Sequence, residues 1–171
     1  DHALILAALP ARLRHRVATA MEGERLRDWL HAPRGTSFYM RLRGLAQYFL
    51  VTTFFQVFPL PKKSGFRRSF AQAAEFVESG QSVLVFPEGR RAPRGYMQMN
   101  RFKSGIGVLT SDLDLPVVPI KLRGLYELKR RKQYFAPKDM VSVTFGPPIK
   151  FDSSKSPAEI TEELQRQVEL L

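Results

Sequence analysis

Four consecutive residues, Val83-Leu84-Val85-Phe86, are aliphatic or aromatic, and Pro87 follows them. So short an apolar run, opened by Ser82 and closed by proline, predicts a buried strand over 82–86. Pro87 ends it because proline has no ladder N–H to give, and Gly89 lets the chain turn sharply without a Cβ clash. Glu88, Arg90 and Arg91 are thereby presented just past the strand's carboxyl end, where open α/β sheets bind their ligands. Two guanidinium forks suit a phosphate better than a neutral group. A solvated charged turn after a core strand would use the same residues. The stretch alone leaves both readings open.

At 171 residues the chain is long enough for one core and is read as a single domain. Its 44% apolar content is that of a globular protein, and no internal repeat is visible. A net charge of +11 favours anionic partners: a phosphorylated substrate, an anionic lipid surface or nucleic acid. With no cysteine, neither a disulfide framework nor a thiolate metal site can form. No basic segment precedes the first apolar run, and no uncharged run reaches the ~18 residues of a membrane span. The longest candidate, 44–62, is interrupted by Gln47, Tyr48, Thr52, Thr53 and Gln56. It reads as a core helix leading into a strand, or as a surface that lies on a bilayer.

In chain order, Asp1 precedes a helical run, 2–9, that Pro10 ends, so its plainest role is an N-cap. A chain that opens on the cap is expected to continue upstream. A strand is predicted over 16–20, a helix over 24–31, a longer helix over 37–53 and a strand over 54–58 closed by Pro59 and Pro61. Ser69 and Gln72 form a capping-box pattern, with Phe70, Ala73, Ala74 and Val77 on one helical face and Gly80 at the end. After the 82–91 stretch, Phe102 to Gly105 lead into a short helix through Ile106, Val108 and Leu109; then come a proline-interrupted strand over 115–122 and a basic run, Lys129 to Lys132, read as a solvated loop. A strand over 140–145 precedes a last helix capped by Ser156, Pro157 and Glu159, with Ile160, Leu164, Val168 and Leu171 facing inward. The alternation predicts an α/β fold with a mixed, largely parallel central sheet flanked by helices. Between Lys62 and Lys103 nine basic residues face three acidic ones, so positive charge gathers around the Pro-Glu-Gly turn.

Taken together these residues resemble the glycerolipid (lysophospholipid) acyltransferase superfamily. Phe86-Pro87-Glu88-Gly89-Arg90-Arg91 is similar to its Phe-Pro-Glu-Gly-Thr/Ser-Arg motif. Phe102-Lys103-Ser104-Gly105 matches its Phe-Lys-x-Gly element, and Val117-Val118-Pro119-Ile120 its last motif. Asp1 and the helix after it look like the second half of its His-x4-Asp motif. The motif histidine would lie five residues before Asp1; His2, on the other side, does not replace it. Arg90 stands where the family has Thr or Ser, so the resemblance carries the anion-binding role to Arg91, with Arg90 an added cation. At the end of the family's second motif stands Lys62, with Arg67 the alternative.

The resemblance implies acyl transfer from acyl-CoA or an acyl carrier protein to the free hydroxyl of a lysophospholipid such as 1-acyl-glycerol 3-phosphate. An upstream histidine would be the general base and Asp1 its orienting carboxylate. Glu88 and Gly89 would shape the acceptor turn; Arg91, helped by Arg90 and Lys103, would hold the phosphate. No metal or other cofactor is implied. The implied partners are the lysophospholipid, the acyl donor and an anionic membrane surface, met at the cytoplasmic face either peripherally or within a larger membrane protein. The 171 residues are expected to be one acyltransferase-like domain lacking its N-terminal part, a piece of a longer chain that can carry further domains, and without the base to be nearly inactive. The competing class is a non-catalytic basic module for anionic lipid or nucleic acid, centred on Lys129 to Lys132. No groove-reading or RNA-binding motif supports nucleic acid. Steep loss of affinity with salt would mark that module.

Overall fold

The structure is a computed structural model that describes residues 2–33, 35–60, 66–89, 99–131, 137 and 140–171. It divides into two compact units, one of residues 9–86 and one of 1–8 with 87–171.

The 9–86 unit is built on a three-stranded parallel sheet. Its strands are β1 (Val17–Glu22), β2 (Gln56–Leu60) and β3 (Ser82–Leu84), in the order β2-β1-β3. Ala18 pairs with Gln56 on one side of β1 and with Val83 on the other. As the central strand β1 is covered on both faces, so Ala18 and Thr19 are both buried and the run is not alternating. A four-residue helical turn, α2 (Ala11–Arg14), precedes it. The crossover from β1 to β2 runs through α3 (Gly23–Leu30) and α4 (Phe38–Phe54); α5 (Phe66–Glu78) links β2 to β3. Ser37 caps α4, its hydroxyl accepting from the Met40 N–H. Phe58 is fully buried with its ring 5.6 Å from that of Phe76, and Ala73 of α5 is equally buried.

Two expectations change here, both at the sheet edge. β2 does not stop at Pro59 but continues to Leu60, because an edge strand needs ladder bonds on one side only and tolerates proline. Ser69 is not a cap, since α5 begins at Phe66. Its buried hydroxyl donates instead to the Pro59 carbonyl at 2.7 Å, tying the helix to the edge strand. Only 82–84 of the predicted 82–86 strand pairs with a neighbour.

The other unit contains α1 (His2–Ala8), α6 (Gly105–Leu113), β4 (Ile120–Arg123), α7 (Leu125–Arg130), β5 (Ser142–Phe145) and α8 (Pro157–Leu170). β4 and β5 form an antiparallel pair, with Ile120 opposite Phe145 and Arg123 opposite Ser142. The proline-rich 115–122 segment is split: Val117 and Ile149 exchange two hydrogen bonds as an isolated bridge, and the ladder proper starts only after Pro119. Lys129 and Arg130 belong to α7 rather than to a loop. Ile160, Thr161 and Leu164 of α8 are buried, as are Leu109 and Thr110 of α6. The two helices meet so closely that a Cβ on Gly107 would collide with the Pro157 carbonyl and the Thr161 hydroxyl. α8 starts with the full capping box: Ser156 accepts from the Glu159 N–H while the Glu159 carboxylate accepts from the Ser156 N–H at 2.8 Å.

Candidate functional site

Phe86 leads into a turn at Pro87 and Glu88, and Gly89 follows with φ at 63°. That left-handed backbone strains any residue with a Cβ. A second constraint acts at the same place: a Cβ on Gly89 would stand 3.3 Å from Cγ of Lys103 and 3.7 Å from its Cε. The aliphatic stem of Lys103 therefore lies along the glycine, which brings its ammonium to the turn.

Three hydrogen bonds hold the 87–89 turn against the segment 100–103. The Lys103 N–H donates to the Pro87 carbonyl at 2.9 Å. One oxygen of the half-buried Glu88 carboxylate, Oε2, accepts from both the backbone N–H and the side-chain Nδ2 of Asn100, each at 2.9 Å. A further bond anchors the segment to α8, where Gln165 Oε1 accepts from the Phe102 N–H at 3.0 Å while its Nε2 donates to Glu169 at 2.9 Å. The result is a clasp in which the acidic side chain faces inward and a lysine lies across the glycine. Ion pairs such as Arg130–Glu127, Lys150–Asp114 and Arg166–Glu163 lie elsewhere, and among the described residues no carboxylate pairs with Lys103. A cation held beside a glycine turn, with the turn's own carboxylate, Glu88, already engaged by Asn100, can receive an anion.

Of the site residues anticipated from sequence, Glu88, Gly89 and Lys103 are thus brought together. Arg67 is an exposed residue of the first turn of α5, in the 9–86 unit. Asp1, Lys62, Arg90 and Arg91 lie outside the described residues. His2, the first residue of α1, is half-buried, and burial holds its imidazole below the usual value, towards the neutral form. Sequence reasoning missed Asn100 and Gln165. Asn100 looked like the end of a polar loop, and its only signal is its position two residues ahead of Phe102. Gln165 lies on a helix 63 residues further along the chain from Phe102 and carries no local signal.

This segment is also where the chain meets known proteins. The family model described as Acyltransferase matches residues 35–123, just over half of the chain. The match spans the Phe86–Arg91, Phe102–Gly105 and Val117–Ile120 motifs, and leaves Asp1 outside. The chain belongs to the glycerolipid acyltransferase family. No curated protein and no solved structure matches it.

Proposed function

We propose that the chain carries the acceptor side of an acyl transfer from acyl-CoA, or an acyl carrier protein, to the free hydroxyl of a lysophospholipid such as 1-acyl-glycerol 3-phosphate. The observation that carries this reading is the clasp: within the stretch that the family model matches, Lys103 lies over Gly89 while Glu88 is engaged by Asn100. The anion received there is the acceptor's phosphate, with Arg90 and Arg91, next in the sequence after Gly89, as its further cations.

The chemistry needs a base, because an alcohol is a poor nucleophile at neutral pH. A histidine five residues upstream of Asp1 takes the hydroxyl proton as the oxygen attacks the thioester carbonyl. As the tetrahedral intermediate collapses, the carbon–sulfur bond breaks and the imidazolium returns that proton to the leaving thiolate. Asp1 holds the imidazole in the required tautomer and stabilises its charged form. The products are the ester and the free thiol.

The test is acylation of lysophosphatidate by acyl-CoA, measured on protein that includes the residues upstream of Asp1. Product is expected, and replacing the upstream histidine by alanine is expected to lower turnover about 10²–10⁴-fold. A parent protein with no histidine at that position, or one that turns over equally well without it, would refute the mechanism.

A further inference from the structure

Helix α4 presents an apolar surface that no described residue of its own unit covers. Gly44, Gln47, Tyr48 and Val51 follow one another at helical spacing on the less exposed side, and the helix packs there against α3 and β2. On Gly44 the approach is close: a Cβ would lie 3.3 Å from the Trp29 carbonyl oxygen. The opposite side carries Phe38, Leu42 and Phe49, which are 81%, 57% and 57% exposed, together with Tyr39 and Leu50. Of the fourteen exposed large apolar side chains among the described residues, seven are on this one helix. So contiguous a patch marks an interaction site rather than ordinary surface.

Charge decides what covers it. At about 100° per residue, Arg41 and Arg43 fall on opposite flanks of the apolar face, about a quarter-turn or slightly more from its centre. Long cationic side chains so placed can bury their stems while their heads reach a polar boundary. From Trp29 to Ala74 there is not one Asp or Glu, against seven Lys and Arg. An isologous contact between two copies would bring these like charges together, whereas anionic headgroups complement them. Seventeen residues of helix extend about 26 Å, short of the ~30 Å of bilayer hydrocarbon. Among the described residues no helix is long and apolar enough to cross a membrane.

We infer that α4 is an interfacial membrane helix. It lies in the plane of an anionic phospholipid bilayer with Phe38, Leu42 and Phe49 in the acyl region and Arg41 and Arg43 at the headgroups. The assignment rests on the exposed face and the charge around it, independently of the acyl-transfer reading.

The experiment uses the 171-residue chain, with co-sedimentation on vesicles of equimolar phosphatidylcholine and phosphatidylglycerol, and on phosphatidylcholine alone. Trp29 is the single tryptophan and lines the groove of about 520 Å³ between α3 and α4 beside Phe38 and Leu42, so its emission reports insertion. Binding to the anionic vesicles with a blue shift of Trp29 is expected, and much weaker binding to the neutral ones. Leu42→Ser and Phe49→Ser should each weaken partition about tenfold. Arg43→Gln should weaken it about fivefold on anionic vesicles and leave the neutral ones unchanged. All three side chains are exposed, so the variants should keep the wild-type circular dichroism spectrum. No binding to the anionic vesicles, or binding that Leu42→Ser and Phe49→Ser leave intact, would overturn the assignment. So would a dimer in solution that these substitutions dissociate, because the face would then belong to a second copy.

Discussion

Replacing Glu88 by alanine removes a single carboxylate oxygen that receives two donors from Asn100, both at 2.9 Å. A hydrogen bond to a charged group contributes about 1.5–3 kcal/mol. Water can reach the half-buried donors, so the lower figure applies to each, and the loss is about 3 kcal/mol, or roughly a hundredfold in the equilibrium between closed and open clasp. The change should be read locally, by hydrogen exchange of the Asn100 and Lys103 amides. The Lys103 N–H is bonded to Pro87 and not to Glu88, so it loses protection only if the clasp opens as a unit. Glu88→Gln keeps an acceptor oxygen but loses the charge, and should give about a tenfold change. Asn100→Ala should fall in the same range, since it spares the backbone donor. The double variant Glu88→Gln/Asn100→Ala should cost less than the sum of its parts, as directly bonded residues do. If Glu88→Ala accelerates exchange at Asn100 alone and leaves Lys103 protected, the turn is held by something other than this carboxylate.

Two further outcomes test the packing and the electrostatics. Gly107→Ala would ordinarily stabilise a helix interior by about 1 kcal/mol. Here the added methyl meets the Pro157 carbonyl and the Thr161 hydroxyl, so a net loss of about 2–3 kcal/mol is expected, roughly 4–12 °C in Tm by calorimetry. An unchanged or raised Tm would show that α6 and α8 are not in this close contact. The Ser156 hydroxyl and N–H hold the Glu159 carboxyl below its ordinary value of 4.5 by bonding to its charged form. A carboxyl depressed in the folded state adds stability that is present above 4.5 and is lost as pH falls through the folded value. The Tm difference between the wild type and Glu159→Gln should therefore be constant above pH 4.5 and close on acidification; a gap that persists in acid would argue against the cap.

What the sequence made legible was whatever rests on local chemistry. The capping box at Ser156 and the helix it starts were legible because cap, proline and glutamate act within four residues. So were the long helix after Ser37, the strand before Pro87 and the turn at Gly89. Ser69 shows the limit: the same Ser-x-x-Gln pattern that signals a helix start is here a tether to Pro59, ten residues back, and only tertiary placement distinguishes the two. The 115–122 segment reads as a strand interrupted by prolines, and the missing N–H groups of Pro116 and Pro119 do split it in the folded chain. At the site, glycine and charge flagged Glu88 and Gly89, and the resemblance of Phe102–Gly105 to a family element flagged Lys103. The residues that hold them, Asn100 and Gln165, are polar side chains with no periodic or compositional signal, because their partners are 12 and 63 residues away. The helix α4 was legible as a helix; that its apolar side faces outward was not, since an apolar stretch looks the same whether it meets a core or a bilayer.

The most direct test of the phosphate site compares two acceptors that differ only in that group. Acyl-CoA-dependent acylation of lysophosphatidate and of the matching monoacylglycerol would be measured on protein that includes the upstream residues, for the wild type, Lys103→Met and Arg91→Ala. The wild type is expected to favour the phosphorylated acceptor by about 10–100-fold in kcat/KM, the worth of one or two charge-assisted contacts. Each variant should bring that ratio towards one by raising the KM for lysophosphatidate, while monoacylglycerol turnover stays unchanged. A preference that neither variant reduces, or equal loss on both acceptors, would contradict the assignment of the Pro87–Lys103 clasp as the phosphate site.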